Sequence, residues 1–216
     1  MKNAILFDLD GTLLNTLTDI SESMNHALST YGLPAHEEEK YKLFTGDGAV
    51  NLTKRSIGDR QDMLEQVYRL YRETYEQNSR VHTAPYPGIV SALNDLHEKG
   101  YKLLVLSNKD DTDAKEVVKY YLPEIPFTNV QGKIENMPVK PDPALAFKML
   151  GELGIAPEEL WYVGDTATDM RCARNIGAAS IAVTWGFQTR DMLAAESPNY
   201  FADKPEDLPE IILANN

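Results

Sequence analysis

The amino-acid sequence predicts an α/β fold, in which an open, Rossmann-like sheet of parallel strands carries helices on both faces and an all-helical segment is inserted. Short apolar runs at residues 4–7, 103–106 and 160–163 are bounded as buried strands are. They alternate with stretches whose apolar residues recur at helical spacing, which is the pattern of a parallel sheet covered by helices. Residues 15–82, by contrast, show helical spacing alone.

The helical segment starts directly after the first strand. Thr16 or Thr18 can cap its first helix, and acidic residues in the following turns favour the helix dipole. A glycine-containing loop at residues 45–48 then leads into another helix. The last helix of the segment carries Tyr71 and Tyr75 on its apolar side, and we interpret this stripe as packing rather than as a cofactor site.

A cluster of turn-forming residues at 83–88 marks the far end of the helical segment and indicates a hinge or a linker. We therefore predict a core of residues 1–14 and 83–216, with residues 15–82 inserted as a helical cap. Beyond the hinge the pattern alternates to the end of the chain. We predict helices around residues 89–96, 114–121 and 145–150 and one ending at 176, strands at residues 101–106, 127–130, 160–163 and 181–184, and short elements near residues 200 and 208–213.

Composition limits the kinds of partner that this chain can have. A length of 216 residues exceeds a typical domain of about 100–150 residues, which suits a core with an insert. The net charge of −12 argues against binding to nucleic acid or to an anionic membrane surface, and no apolar run is long enough to span a bilayer. The single cysteine, Cys172, fits a reducing compartment, so we expect a cytoplasmic protein. We also expect the protein to be a monomer or a homodimer.

Two carboxylates follow the first strand. Asp8 and Asp10 are two positions apart, so an extended chain directs both to the same face, and Gly11 and Thr12 come next where the chain turns. Carboxylates this close repel each other unless a cation or a shared proton lies between them. A hard divalent ion such as Mg²⁺, which prefers oxygen ligands, is the natural counter-charge. The alternative is an acidic surface turn after a strand.

Polar residues also follow other strands of the predicted sheet. Ser107 and Asn108 end one strand, Asp165 ends another, and Lys140 opens a further strand-to-helix junction. In an open α/β sheet, ligands bind beyond the carboxyl ends of the strands, so these groups are expected to meet at one site. Taken singly, Ser107 and Asn108 could merely cap the next helix, and Lys140 could be a solvated loop residue.

These motifs together resemble those of the haloacid dehalogenase superfamily of phosphatases. The matching stretches, in order, are Asp8-Leu9-Asp10-Gly11-Thr12-Leu13, Ser107-Asn108-Lys109, Lys140-Pro141-Asp142-Pro143, and Gly164-Asp165 with Asp169. The inserted helical segment is similar to the small cap of that family. Within it, residues 46–49 with Leu52 and Arg55 resemble the cap of phosphoglycolate phosphatases. Asn15 stands where many relatives carry Asp, which bears on the local hinge only.

The resemblance implies a role for each acid. Asp8 would be the nucleophile that attacks phosphorus and forms an aspartyl-phosphate. Asp10 would protonate the leaving oxygen and then accept a proton from the attacking water. Mg²⁺ would be held by Asp8, the backbone carbonyl of Asp10 and Asp165. Asp169, one helical turn beyond Asp165, would orient these ligands.

The resemblance also implies which residues bind the substrate. Thr12, Ser107, Asn108 and Lys140 would bind the phosphoryl group, with Lys140 as a point charge. In the cap, Thr45, Gly46, Gly48 and Arg55 would lie near the leaving group. The Arg55 guanidinium would suit a two-carbon acid such as phosphoglycolate, although a surface helix charge is an equally good interpretation.

Hydrolysis of a small phosphate monoester is the leading hypothesis, because Asp10 supplies the acid and base that ester hydrolysis needs. A phosphomutase similar to β-phosphoglucomutase, acting on a sugar phosphate, would keep the same core and differ in its cap. A phospho-ligand-binding protein without turnover is the alternative from a different class. It would not need an acid beside the nucleophile position, so the pair of Asp8 and Asp10 speaks against it.

Overall fold

A computed structural model describes residues 2–216. Its main sheet has six strands in the order β5-β4-β1-β6-β7-β8, and every neighbouring pair is parallel. The strands, with the two of a small separate sheet, are β1 (Ala4–Phe7), β2 (Leu14–Asn15), β3 (Ala84–Pro85), β4 (Lys102–Asp110), β5 (Asn129–Lys133), β6 (Leu160–Gly164), β7 (Ala179–Val183) and β8 (Tyr200–Ala202). The predicted open parallel sheet is confirmed.

Helices cover both faces of this sheet. Along the central strand β1, Ile5 and Phe7 pack into one buried cluster, while Ala4 and Leu6 pack into another on the opposite face. The helices are α1 (Leu17–Thr30), α2 (Glu38–Phe44), α3 (Ala49–Ile57), α4 (Leu64–Asn78), α5 (Ile89–Glu98), α6 (Asp111–Tyr121), α7 (Ala144–Leu153), α8 (Ala167–Ile176), α9 (Arg190–Ala194) and α10 (Asp207–Ala214). Within residues 2–216, none of them has the length and apolar character needed to cross a lipid bilayer.

The helices α1 to α4 share a separate hydrophobic cluster, in which Tyr71 and Tyr75 are buried and stack on each other. The chain leaves and re-enters the core through an antiparallel pair, in which β2 is bonded to β3. Asp19 braces this crossing, because its buried carboxylate accepts hydrogen bonds from the backbone N–H groups of His82 and Thr83. The predicted boundaries at residues 15 and 83 lie at this crossing, and the division into core and cap stays a prediction.

Several local details differ from the sequence-based expectation. Strand β4 does not end at residue 106, as predicted, but continues to Asp110, because Asp110 pairs with Lys133 of β5 after an irregularity in the register. Thr16 occupies the position before α1, yet its hydroxyl is buried without a hydrogen-bond partner among residues 2–216. Instead the Asn15 side chain accepts a hydrogen bond from the backbone of Leu17 at 3.4 Å.

Candidate active site

The carboxyl ends of three adjacent strands bring the predicted polar groups together. Phe7 of β1 lies in register with Val105 of β4 and Val163 of β6. Asp8 therefore leaves the sheet between the ends of its two neighbours, and its backbone N–H donates to the carbonyl of Val163 at 2.9 Å. Because the strands are parallel, Ser107 and the residue that follows β6 reach the same edge.

Three buried carboxylates meet at this edge. Asp8, Asp165 and Asp169 each place an oxygen within 4.8 Å of the others. The ammonium of Lys140 lies 2.7 Å from Asp8 Oδ1 and 2.8 Å from Asp169 Oδ1, and the lysine side chain is 3% exposed. If all three acids are ionised, the cluster with Lys140 carries a charge of 1 − 3 = −2.

Gathering these negative charges in a buried place raises the pKa values of two of the acids, Asp8 and Asp165. Burial, together with the charge of Asp169, raises the pKa of Asp8 from 3.8 to about 7, although Lys140 acts in the opposite direction. Burial and the charge of Asp8 likewise raise the pKa of Asp165 well above its ordinary value. A divalent cation would neutralise the remaining charge, and carboxylate oxygens are suitable ligands, so the donor set fits Mg²⁺.

Two hydrogen bonds fix the carboxylate of Asp165. The Thr12 hydroxyl donates to Oδ1 and the backbone N–H of Phe187 donates to Oδ2, both at 2.8 Å. Two glycines make room for it: a Cβ on Gly186 would lie 2.3 Å from Cβ of Asp165, and one on Gly11, which has a φ of +89°, would lie 2.2 Å from Oδ2. Thr12, which was expected to bind phosphate, is thus fully buried and directed to Asp165.

Asp169 is held at the first turn of α8. Its Oδ2 accepts hydrogen bonds from the backbone N–H of Thr166 at 3.0 Å and from its hydroxyl at 2.6 Å, in a capping box. Its Oδ1 contacts Lys140 and accepts from the Tyr162 hydroxyl at 3.3 Å. Asp169 thus accepts four donors, which fills its lone-pair capacity, whereas Asp165 accepts only two, so Asp169 suits an orienting role better than that of a metal ligand.

Ser107, Asn108 and Lys140 surround the space beside Asp8. The Asn108 side chain accepts from the backbone N–H of Lys140 at 2.9 Å and donates to the carbonyls of Gly46 and Lys140 at 3.0 and 3.1 Å. Its amide thus ties the loop at residues 45–48 to the sheet edge instead of pointing an unpaired donor at the site. Ser107 lines the cavity next to Asp8 and Asp10.

Asp10 faces a lysine to which the sequence assigned no role. The ammonium of Lys109 lies 3.0 and 3.1 Å from the two carboxylate oxygens of Asp10 and 2.9 Å from the Tyr75 hydroxyl. Lys109 follows Ser107 by two residues in β4, and both residues line the same cavity. The available signal was its place in the Ser107-Asn108-Lys109 motif.

A cavity of about 210 Å³ lies between the sheet edge and the helical segment. Thr45, Gly46 and Gly48 line it, but Arg55 is not among its lining residues. The Arg55 guanidinium instead donates to the carbonyl of Phe44 at 2.8 Å and forms an ion pair with Asp47. The other lining residues include Asp8, Asp10, Ile20, Leu52, Tyr71, Arg72, Tyr75, Lys109 and Lys133.

Arg72 is a cavity residue that the sequence did not single out. It extends from α4 to the core, where its guanidinium contacts Asp110 at 2.6 Å and Asp113 at 2.9 Å. These two carboxylates neutralise it, so it joins the helical segment to the sheet and adds no net positive charge to the cavity wall.

The parallel sheet and the acid cluster beyond its central strands define a hydrolase of the haloacid dehalogenase type. A family model described as haloacid dehalogenase-like hydrolase matches residues 5–183, and the chain belongs to this family.

Proteins of similar sequence and structure indicate which kind of hydrolase this chain resembles. A phosphoglycolate phosphatase of Aquifex aeolicus is 30% identical over 208 residues, which cover 96% of this chain and 95% of that protein. One from Chromobacterium violaceum is 32% identical over 200 residues, covering 89% and 90% of the two chains. The solved structure of a haloacid dehalogenase-like family hydrolase from Streptococcus pneumoniae matches with a TM-score of 0.90 at 26% identity and covers 98% of each chain. The predicted resemblance to the phosphatases of this superfamily is confirmed, and the chain is an enzyme of that kind.

Proposed function

We propose that this enzyme hydrolyses a small phosphate monoester with the help of Mg²⁺ and through an aspartyl-phosphate on Asp8. The observation that carries the proposal is the meeting of Asp8, Asp165, Asp169 and Lys140 beside a cavity that also contains Asp10. Nucleophile, cation site and acid thus lie around one space in which a phosphoryl group can be held.

Asp8, Asp165 and the backbone carbonyl of Asp10 would hold the Mg²⁺ ion. The bound ion supplies charge neutralisation between an anionic nucleophile and an anionic substrate. Asp169 stabilises this arrangement without binding the ion itself, because its contacts with Thr166 and Lys140 fix the start of α8 beside Asp165.

The reaction then divides into two displacements. In the first, a carboxylate oxygen of Asp8 forms a bond to phosphorus as the bond to the leaving oxygen breaks, and Asp10 gives its proton to that oxygen. In the second, Asp10 takes a proton from water, the water oxygen bonds to phosphorus, and the bond to Asp8 breaks to release inorganic phosphate. Ser107 holds the phosphoryl oxygens during both steps. Lys140, whose three donors are taken by Asp8, Asp169 and the Leu106 carbonyl, acts on those oxygens as a positive point charge.

The helical segment of residues 15–82 acts as a cap in this proposal and supplies the wall that contacts the leaving group. The loop at residues 45–48 is joined to the core by Asn108 and by the Thr168 hydroxyl, which donates to Asp47 at 2.5 Å. Arg55 holds the other side of Asp47. We therefore assign Arg55 a positioning role on this loop rather than a direct contact with substrate.

For the substrate we propose 2-phosphoglycolate, which the names of the two curated relatives support. A two-carbon leaving group fits within the cavity of about 210 Å³. Equal rates on sugar phosphates, without loss in Arg55→Ala, would contradict the assignment of phosphoglycolate.

We also propose a cytoplasmic location, because a reducing compartment suits a chain whose single cysteine is free and buried.

The test is phosphate release from a panel of phosphorylated metabolites that includes 2-phosphoglycolate. Removal of divalent ions with EDTA should abolish release and added MgCl₂ should restore it. Asp8→Asn should lower kcat by roughly a thousandfold or more, because the amide is not a nucleophile. The exposed Asp95 on α5 provides the matched control, since Asp95→Asn should leave the rate unchanged.

Trapping after acid quench should detect radiolabelled phosphate on the wild-type chain but not on Asp8→Asn. Activity that survives Asp8→Asn would contradict the covalent mechanism. Transfer of phosphate to a second hydroxyl of a sugar phosphate, without release of inorganic phosphate, would instead indicate a phosphomutase.

A further inference from the structure

Lys109 connects the core with the helical segment at Asp10. Its ammonium contacts both carboxylate oxygens of Asp10 and the hydroxyl of Tyr75, which belongs to α4. It also lies 4.7 Å from the centre of the Tyr75 ring. The Lys109 side chain is only 7% exposed, although lysine is rarely buried without partners.

The contacts of Lys109 use its full hydrogen-bonding capacity. An ammonium has three N–H donors, and the two oxygens of Asp10 and the Tyr75 hydroxyl account for three acceptors. A lysine side chain has several rotatable bonds, so burial and three simultaneous contacts hold it in one conformation. Asp10 is thereby restrained too, because turning its carboxylate would break two charge-assisted hydrogen bonds.

The two buried lysines of the site serve different acids. Lys140 contacts Asp8 and Asp169, whereas Lys109 contacts Asp10. A cation that served only to attract the anionic substrate would not need to contact both carboxylate oxygens of Asp10, the group that transfers the proton. The geometry of Lys109 is that of a support for Asp10.

We propose that Lys109 is a positioning residue that holds the Asp10 carboxylate toward the leaving oxygen, and that Tyr75 keeps Lys109 in place. This inference rests on the proposed function, in which Asp10 gives its proton to the leaving oxygen. It adds that the helical segment, through Tyr75, takes part in aligning the acid.

The chemistry of the leaving group separates positioning from a general structural role. An alkyl phosphate releases an alkoxide, which needs the proton of Asp10 as its bond to phosphorus breaks. Acetyl phosphate releases acetate, which is a stable anion at neutral pH and needs no proton. A displaced Asp10 should therefore slow the formation of the aspartyl-phosphate, which kcat/KM reports, from the alkyl phosphate and spare it from acetyl phosphate, whereas a damaged fold would slow both.

The experiment measures kcat/KM for 2-phosphoglycolate, ethyl phosphate and acetyl phosphate with Mg²⁺ present. Lys109→Met should lower the value about a hundredfold for both alkyl phosphates, the size expected when a general acid is misplaced by about 1 Å. Acetyl phosphate should lose less than about threefold. Lys109→Arg should recover part of the loss, and Tyr75→Phe should show the same selectivity with a smaller effect, roughly three- to tenfold.

Asp10→Asn is the reference for loss of the acid, and Tyr68→Phe, on the same helix but outside the cavity lining, is the control that should behave as wild type. A wild-type chain that hydrolyses none of the substrates would refute the proposed function itself. If Asp10→Asn is selective and Lys109→Met is not, the inference about Lys109 is wrong. A loss confined to 2-phosphoglycolate would overturn it as well, because it would show that Lys109 binds the substrate carboxylate.

Discussion

Replacing Lys140 by Met tests whether this lysine stabilises the buried acid cluster. The ammonium of Lys140 lies 2.7 Å from Asp8, 2.8 Å from Asp169 and 2.9 Å from the carbonyl of Leu106. Met has a similar length and fills much of the same space, but it carries neither the charge nor the donors. The substitution therefore leaves two buried carboxylates without their cation while disturbing the packing little.

The expected cost is that of breaking a buried ion pair from one side, about 3–5 kcal/mol of the free energy of unfolding. For a chain of this size, each kcal/mol corresponds to about 2–4 °C in Tm, so Lys140→Met should unfold roughly 6–20 °C below wild type in EDTA. Since Lys140 lowers the pKa of Asp8, its removal should raise that pKa further. The deficit should thus be larger near pH 8, where Asp8 must ionise, than near pH 5, where Asp8 can stay protonated.

Thermal unfolding followed by circular dichroism in EDTA, at both pH values, measures this deficit. The matched control is Lys148→Met, because Lys148 pairs with Glu152 at 2.7 Å but both side chains are exposed. Such a surface pair is worth at most about 1 kcal/mol. A deficit in Lys140→Met no larger than that of Lys148→Met, or one equal at the two pH values, would refute the reasoning.

Two further predictions concern the same cluster. Burial and the charge of Asp169 raise the pKa of Asp8 from 3.8 to about 7, so the contribution of Asp8 to folding stability is present at low pH and lost as the pH rises through about 7. In thermal scans of the wild type, Mg²⁺ should therefore raise Tm more near pH 8 than near pH 5. Gly186→Ala should weaken Mg²⁺ binding at least tenfold in calorimetric titrations, because its Cβ would lie 2.3 Å from Asp165, whereas Gly151→Ala, in an open position on α7, should leave binding unchanged.

The sheet and the acids at its edge could be predicted because both depend on local patterns. An apolar run followed at once by Asp8, or by Asp165, indicates a buried strand whose end carries a carboxylate. Parallel pairing then requires the strand ends to share an edge, so residues far apart in sequence meet without any knowledge of side-chain packing.

The partners of the acids could not be predicted in the same way. Tyr75 meets Lys109 only because α4 packs above the sheet edge, and helical spacing shows which side of α4 is apolar but not what it faces. Thr12 has a hydroxyl that could serve phosphate or a carboxylate, and only the fold directs it to Asp165. Arg55 was ambiguous for the same reason, since its position on α3 gave no sign that Asp47 would bind it.

Asp8 and Asp10 show what the sequence leaves undetermined even where its prediction holds. They are the same residue type two positions apart, and alternation along an extended chain assigns them to one face. In the structure the Asp8 side chain, 8% exposed, lies among two other buried acids and Lys140, whereas Asp10, 20% exposed, is paired with Lys109. Different surroundings would let two identical groups act in different ways, as the proposed mechanism requires of Asp8 and Asp10. The two lysines come from separate parts of the chain, so the difference in surroundings between the two acids is a property of the fold.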